Sequence, residues 1–213
     1  MPKTKAFDDF AGEYDHWFVA HAAAYESELE AVRVALGEPG RCVEIGVGTG
    51  RFAAPLGIEL GVEPSAAAAE LARARGIEVV EGVAEKLPYE EATLDSVLMV
   101  TTICFVDDPQ LALSEMHRVL KPGGKAVVGL IDADSALGHE YRSRAAKSRF
   151  YAVATFFTAA QVGELLTRAG FVQLECWQTL FSPPAAMAQP DPVKPGCGEG
   201  SFVVMRASKP QTE

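Results

Sequence analysis

Long apolar runs are missing from this chain. No stretch reaches the roughly 18 consecutive apolar residues that a membrane span needs, so no membrane span is expected. The opening residues, MPKTKAFDDF, lack the apolar core of a secretion signal, which makes a cytoplasmic location the expectation. Basic residues are also short: 19 Lys and Arg stand against 29 Asp and Glu, for a net charge of -10. That balance opposes polyanionic partners such as nucleic acid or an anionic membrane surface. The expected partner is a small-molecule substrate. Cysteines number four, and Cys42, Cys104, Cys176 and Cys197 form no CxxC pair. A metal site is therefore not expected, and reduced thiols are. Cys42 and Cys176 sit in apolar runs and read as core. No internal repeat is visible. At 213 residues the chain reads as one domain, long enough to bury a substantial core.

What is present is concentrated in one segment. Val43-Glu44-Ile45-Gly46-Val47-Gly48-Thr49-Gly50 is an apolar run with an acidic residue near its tip, then glycines at alternate positions. Glycine lets backbone come close to a ligand. The carboxylate of Glu44 suits a cationic or hydrogen-bond-donating tail and repels a pyrophosphate. Dinucleotide sites read G-x-G-x-x-G; this loop reads G-x-G-x-G. A second run, Ile58-Glu59-Leu60-Gly61-Val62-Glu63-Pro64, ends in another carboxylate. Glu63 stands where an acidic residue can hold a ribose diol. Two such carboxylates imply a nucleoside with a cationic appendage. The bland alternatives are an ordinary strand end for Glu44 and a turn before Pro64 for Glu63.

Four segments in order then resemble the class I S-adenosylmethionine-dependent methyltransferases, in the subgroup similar to ubiquinone/menaquinone-biosynthesis methyltransferases. They are VEIGVGTGRF from Val43, GVEPS from Gly61, GVAEKLPYEEATLDSVLMV from Gly82 and RVLKPGGKAVVG from Arg118. The segment FDDFAGEYDHWF from Phe7 is similar to the subgroup's lead-in helix. The resemblance implies S-adenosyl-L-methionine as cofactor. It implies a Rossmann-like α/β sandwich around a mostly parallel seven-stranded sheet of order 3-2-1-4-5-7-6, the last strand antiparallel. It also implies the organisation of the chain: residues 1–36 as a helical lid, 41–131 as the cofactor-binding core, and 132–213 as a C-terminal part carrying the substrate cover.

The site residues follow from that resemblance. Glu44 lies below the methionine part; Gly46, Gly48 and Gly50 admit the cofactor; Glu63 takes the ribose. Pro64 and Val83 wall the adenine, and Ala84 or Glu85 contacts it. Val100 and Thr101 lie against the methionine part, and Tyr14 approaches its carboxylate. Two departures stand out. Val83 replaces the aspartate many relatives place there, and no histidine follows Thr101 where relatives carry one or two. Thr102 and Cys104 face either the ligands or the core. His21, His139, Asp132, Tyr141 and Tyr151 are candidate bases without a motif around any of them, and His16 and His117 are poorer ones. The substrate cover is expected from the N-terminal segment, residues 134–157, with Phe150, Tyr151, Phe156 and Phe157 lining it, and the loop 182–200. A non-catalytic S-adenosylmethionine-binding regulator or complex subunit is the alternative function. A nicotinamide oxidoreductase is disfavoured by the glycine spacing and by Glu44.

Along the chain, strands are predicted at 41–45, 58–62, 78–81, 96–100, 125–131, 172–180 and 202–206. Helices are predicted at 7–21, 22–36, after the glycine loop, 65–75, 109–120, 135–149 and 158–170. Alternating β and α with apolar strands implies a parallel sheet covered on both faces.

Overall fold

The computed structural model describes residues 3–211. Its helices are α1 (Lys5–Ala20), α2 (Ala22–Leu36), α3 (Ala66–Ala74), α4 (Pro109–Val119), α5 (Ala136–Arg144) and α6 (Ala159–Arg168). Its strands are β1 (Cys42–Ile45), β2 (Leu60–Val62), β3 (Glu78–Val80), β4 (Leu94–Val100), β5 (Leu120–Ile131), β6 (Val172–Thr179), β7 (Lys194–Pro195) and β8 (Phe202–Ser208). They form one sheet of order β3-β2-β1-β4-β5-β8-β6-β7. The first five strands in that order are parallel. β8 runs antiparallel to both β5 and β6.

The local chemistry of the chain accounts for these elements. Ser65, Asp108, Ser135 and Thr158 cap α3, α4, α5 and α6, each side chain accepting from a backbone N–H in the first turn. Thr158 and Gln161 complete a reciprocal capping box. The central strands are apolar on both faces because both faces are covered. Val97 and Met99 of β4 pack with Leu113, Met116 and Leu166. Their neighbours Leu98 and Val100 pack with Val32, Leu36 and Phe202 on the other side.

Four expectations need correction. The sheet has eight strands, not seven: the segment 182–200 is not all loop, because Lys194 and Pro195 pair with Gln178 and Trp177 at the sheet edge. An edge is where a proline, lacking an N–H, fits. Lys121-Pro122-Gly123-Gly124 does not separate helix from strand. α4 ends at Val119 and β5 begins at Leu120, with the register shift between Leu94 and Ser96 absorbing the irregularity. After the glycine loop the chain makes only a 3-10 turn, Ala54–Leu56, since Pro55 and Gly57 leave no room for a longer helix. α5 stops at Arg144 and gives way to 3-10 turns at 145–147 and 151–153. The fold also brings Cys197 beside Cys176, through Gly196, whose N–H donates to the Cys176 carbonyl at 2.8 Å.

Candidate active site

The carboxyl ends of β1, β2 and β4 meet beneath α1, and the loops after them enclose a cavity of about 370 Å³. Such a volume lies in the range of small-molecule sites. Gly46 and Gly48 line it, and both adopt positive φ, 65° and 54°. A side chain on Gly46 would strike Thr102, whereas one on Gly48 would point into open space, with nothing nearer than Tyr14 Cε1 at 3.9 Å. Gly48 therefore presents bare backbone to the cavity.

Glu63 is buried and lines the same cavity. Gly48 N–H donates to its Oε2 at 2.8 Å and Ser65 N–H to its Oε1 at 2.9 Å. The carboxylate thus ties the glycine loop to the start of α3. Burial pushes its carboxyl up, and these two hydrogen bonds pull against that. Glu44 is buried deeper. Its carboxyl is also pushed up by burial, with a hydrogen bond from the Ala53 backbone opposing and the Glu63 charge adding. Its Oε2 has no hydrogen-bond partner, an expensive state for a buried oxygen. Glu44 and Val100 border a smaller adjoining cleft together with Gly46, Gly48 and Thr101.

Thr101 is one of four non-glycine residues with positive φ, 48°, among the described residues. It sits at the tip of β4, where backbone strain often marks a functional position. Its neighbour Thr102 donates to the Gly46 and Val100 carbonyls at 3.2 and 3.0 Å, fixing the glycine loop to β4. Pro64, Val83, Ala84 and Glu85 line the opposite wall. The Glu85 carboxylate accepts from Asp107 and Asp108 N–H at 2.7 and 3.1 Å, so it also holds the lead-in to α4.

Of the twelve residues expected here, nine line the main cavity: Tyr14, Gly46, Gly48, Glu63, Pro64, Val83, Ala84, Glu85 and Thr101. Glu44 and Val100 border the adjoining cleft. Gly50 borders neither. Its φ is 81°, and a Cβ there would meet Ile77 Cδ1 at 2.5 Å and the Ala72 Cα at 3.2 Å. It lets α3 close on the loop instead. Phe7 and Phe105, which pack edge to face and line the cavity, were not among the residues expected here; Phe105 read as a packing residue. Phe7 lies seven residues before Tyr14, and although α1 kinks between them at Phe10 the two rings meet edge to face at 5.3 Å; that spacing was the available signal.

α1 roofs the cavity and is fastened at two points. Asp15 receives hydrogen bonds from Arg51 Nε at 2.8 Å and Arg75 Nη2 at 2.9 Å. Ser65 Oγ donates to Asp8 at 2.6 Å. Burial pushes the Asp15 carboxyl up, but the hydrogen-bonded guanidinium groups of Arg51 and Arg75 outweigh it and hold it at about 2.

A second cavity, about 640 Å³, shares Tyr14, Thr101 and Phe105 with the first. α1, α2, α5 and the 3-10 turns after α5 build it. Tyr141, Phe150 and Tyr151 line it, as does Glu28, which the sequence reading overlooked. Glu28 interrupts the stripe Ala24, Ala31, Ala35 on the buried face of α2, a visible sign had the period been followed. Phe156 and Phe157 line a small neighbouring pocket. Of the other candidate bases, His21 stacks on Trp17 and Asp132 accepts the Asp134 N–H at 2.9 Å; neither they nor His139 borders the two cavities. Burial pushes the Cys104 thiol up to about 12, and it donates to the Thr101 carbonyl at 3.3 Å; a protonated thiol is a poor nucleophile. Among the described residues there is no cluster of His, Cys, Asp and Glu able to hold a metal, and no helix is long and apolar enough to cross a membrane.

Comparison with known proteins agrees with this geometry. A family model described as a methyltransferase domain matches residues 43–128. A crystal structure from Thermotoga maritima, described as a SAM-dependent methyltransferase and "possible histamine N-methyltransferase", is 51% identical, with a TM-score of 0.95 over 97% of this chain and 99% of that one. An uncharacterized protein of Methanocaldococcus jannaschii is 42% identical over 203 residues, 95% of this chain and 98% of the relative. The demethylmenaquinone methyltransferase of Chlorobaculum tepidum is 30% identical over 143 residues, covering 57% of this chain and 56% of that protein. With its strand-tip glycine loop, paired carboxylates and full-length likeness to such an enzyme, the chain belongs to the S-adenosylmethionine-dependent methyltransferases.

Proposed function

We propose that the first cavity holds S-adenosylmethionine and the second holds a small-molecule methyl acceptor. One observation carries this reading: Gly48 backbone and the Glu63 carboxylate meet in a cavity whose far wall, Tyr14 and Thr101, is also the wall of the second. The donor set fits the cofactor. Each Glu63 oxygen takes one backbone N–H and keeps lone pairs for ribose hydroxyls. The partnerless Oε2 of Glu44 suits the field of an ammonium group. Pro64, Val83 and Ala84 offer apolar walls to a flat base, which offsets the missing aspartate at position 83.

When bound, the cofactor supplies an electrophilic sulfonium methyl. The work left to the chain is positioning and exclusion of water. α1, pinned through Asp15 and Asp8, covers the site. Tyr14 and Thr101 form the boundary across which the acceptor faces the methyl. The segment 1–36 is then the lid, 41–131 the cofactor-binding core and 132–213 the C-terminal part; of its expected cover pieces, 134–157 lines the second cavity and the loop 182–200 lines neither.

Calorimetric titration with S-adenosylmethionine, S-adenosylhomocysteine and NAD tests the reading. The two sulfur nucleosides bind and NAD does not at comparable strength. Absence of heat and of a thermal shift with both nucleosides overturns it. Transfer of labelled methyl from S-adenosylmethionine into a metabolite extract then reports the acceptor.

A further inference from the structure

Glu28 is 4% exposed, and among the described residues no hydrogen bond reaches its carboxyl. It lines the second cavity in the company of Tyr14, Trp17, Phe18, Tyr141, Phe150 and Tyr151. A carboxylate left without a partner in such a place is costly. The groups facing it from neighbouring elements do not relieve that cost. Tyr14 on α1 and Tyr141 and Tyr151 on the cover are neutral phenols, each pushed further up by burial. Glu13 is paired with Arg149 at 2.6 Å. Arg144 and Glu140 also line the cavity, and they are paired with each other at 2.7 Å. Lys147 lines the cavity from an exposed turn.

Resting on the methyltransferase reading, we infer that the acceptor molecule carries an amine whose protonated nitrogen is held by Glu28 within this aromatic chamber; an ammonium has no lone pair, so in that state this nitrogen anchors the molecule and is not the atom that takes the methyl. An ammonium supplies what the carboxylate lacks, a positive charge and N–H donors. The surrounding rings present π faces that attract a cation, more strongly where water is excluded. An anionic acceptor would meet the buried carboxylate head on. A neutral acceptor would leave Glu28 uncharged, and it would then serve only as a hydrogen-bond donor. Burial pushes its carboxyl up to about 8, so amine binding that ionises it strengthens as the pH rises towards that value.

The test is calorimetry at pH 8.5 on protein saturated with S-adenosylhomocysteine. The probes are three ligands of one shape: phenethylamine, 2-phenylethanol and phenylacetate. The expected order is phenethylamine at least tenfold tighter than 2-phenylethanol, with phenylacetate weakest. Glu28→Gln removes that preference, while its melting curve and S-adenosylhomocysteine affinity remain those of a folded protein. Tyr151→Leu, which keeps the carboxylate, weakens phenethylamine severalfold. Equal affinity for amine and alcohol, tighter phenylacetate, or a preference that persists in Glu28→Gln overturns the inference and leaves the methyltransferase reading intact. Failure of S-adenosylhomocysteine to bind overturns both.

Discussion

The two cavities share a wall but were built by different means. Beneath its α1 roof the cofactor-side cavity is made from loops that follow adjacent strands, so those parts come from short contiguous segments: 44–48, 63–64, 82–85 and 101–107. The second is made from the sides of helices and turns that are distant in sequence, such as Glu28 on α2 and Tyr151 beyond α5. A parallel sheet delivers its strand ends to one edge, so a site there is written in motifs. A chamber between helices is written one residue per turn, and no local pattern announces it. The first has the buried carboxylate of Glu63 in its wall, with Glu44 in the adjoining cleft; the second sets the buried carboxylate of Glu28 among aromatic rings.

The largest effect expected from breaking this contrast is at Gly48. Gly48→Val places a β-branched side chain at φ 54° and in the ligand's space. Cofactor affinity falls more than a hundredfold, with a native-like circular dichroism spectrum in the same sample. Wild-type affinity in that sample would show that Gly48 does not approach the cofactor. Gly50→Ala has the opposite signature. It lowers the melting temperature by crowding Ile77 and Ala72, and affinity in the folded fraction is retained.

Next comes Glu63→Ala. Charge-assisted hydrogen bonds of this kind are worth about 1.5–3 kcal/mol, so the dissociation constant rises roughly tenfold to a hundredfold. The glycine loop also loses its tether to Ser65, and protease cleavage near residues 46–50 increases. An unchanged constant would reduce Glu63 to a structural tie.

Asp15→Ala releases the roof without touching either cavity's floor. Cofactor affinity falls by roughly threefold to tenfold, the effect of losing about 1 kcal/mol of ordering. The acid limb of the stability curve changes as well. The Asp15 carboxyl is held at about 2 in the folded chain, below its usual value near 3.9. Its contribution is complete above the usual value and is lost as the pH falls through about 2. The melting difference between wild type and variant therefore narrows between pH 5 and pH 2; a constant gap would place Asp15 outside the clamp.

The smallest effect on cofactor binding is expected from Glu28→Gln, less than twofold. Its stability signature is nevertheless distinct. The folded chain holds the proton on Glu28 up to about pH 8, whereas the unfolded chain releases it near 4.3. Over that interval the folded state binds more protons, so wild-type stability declines as the pH rises. The variant lacks that decline and melts at least ~3 °C above wild type at pH 9, the shift that about 1 kcal/mol gives a chain of this size. Parallel melting curves across pH 5 to 9 would show that Glu28 is solvated.

The strand-tip loop and its two carboxylates were legible in the residues themselves, whereas the order of the sheet came through the family resemblance. Gly46, Gly48, Glu63 and Thr101 occupy one cavity because β1, β2 and β4 lie side by side and deliver their carboxyl ends to one edge; the resemblance, not the spacing, pointed to Thr101. Tertiary structure decided the rest. It turned Gly50 from a candidate ligand neighbour into a packing residue, since only the position of α3 reveals what a Cβ would strike. It made the Pro-rich segment around Lys194 an edge strand, because pairing depends on a partner distant in sequence. It set Cys176 beside Cys197, though 21 positions part them. And it gave Glu28 its place: in the sequence it is one acid among several on α2, and only the packing of α1, α2 and the cover around it removes water and leaves a carboxylate among rings.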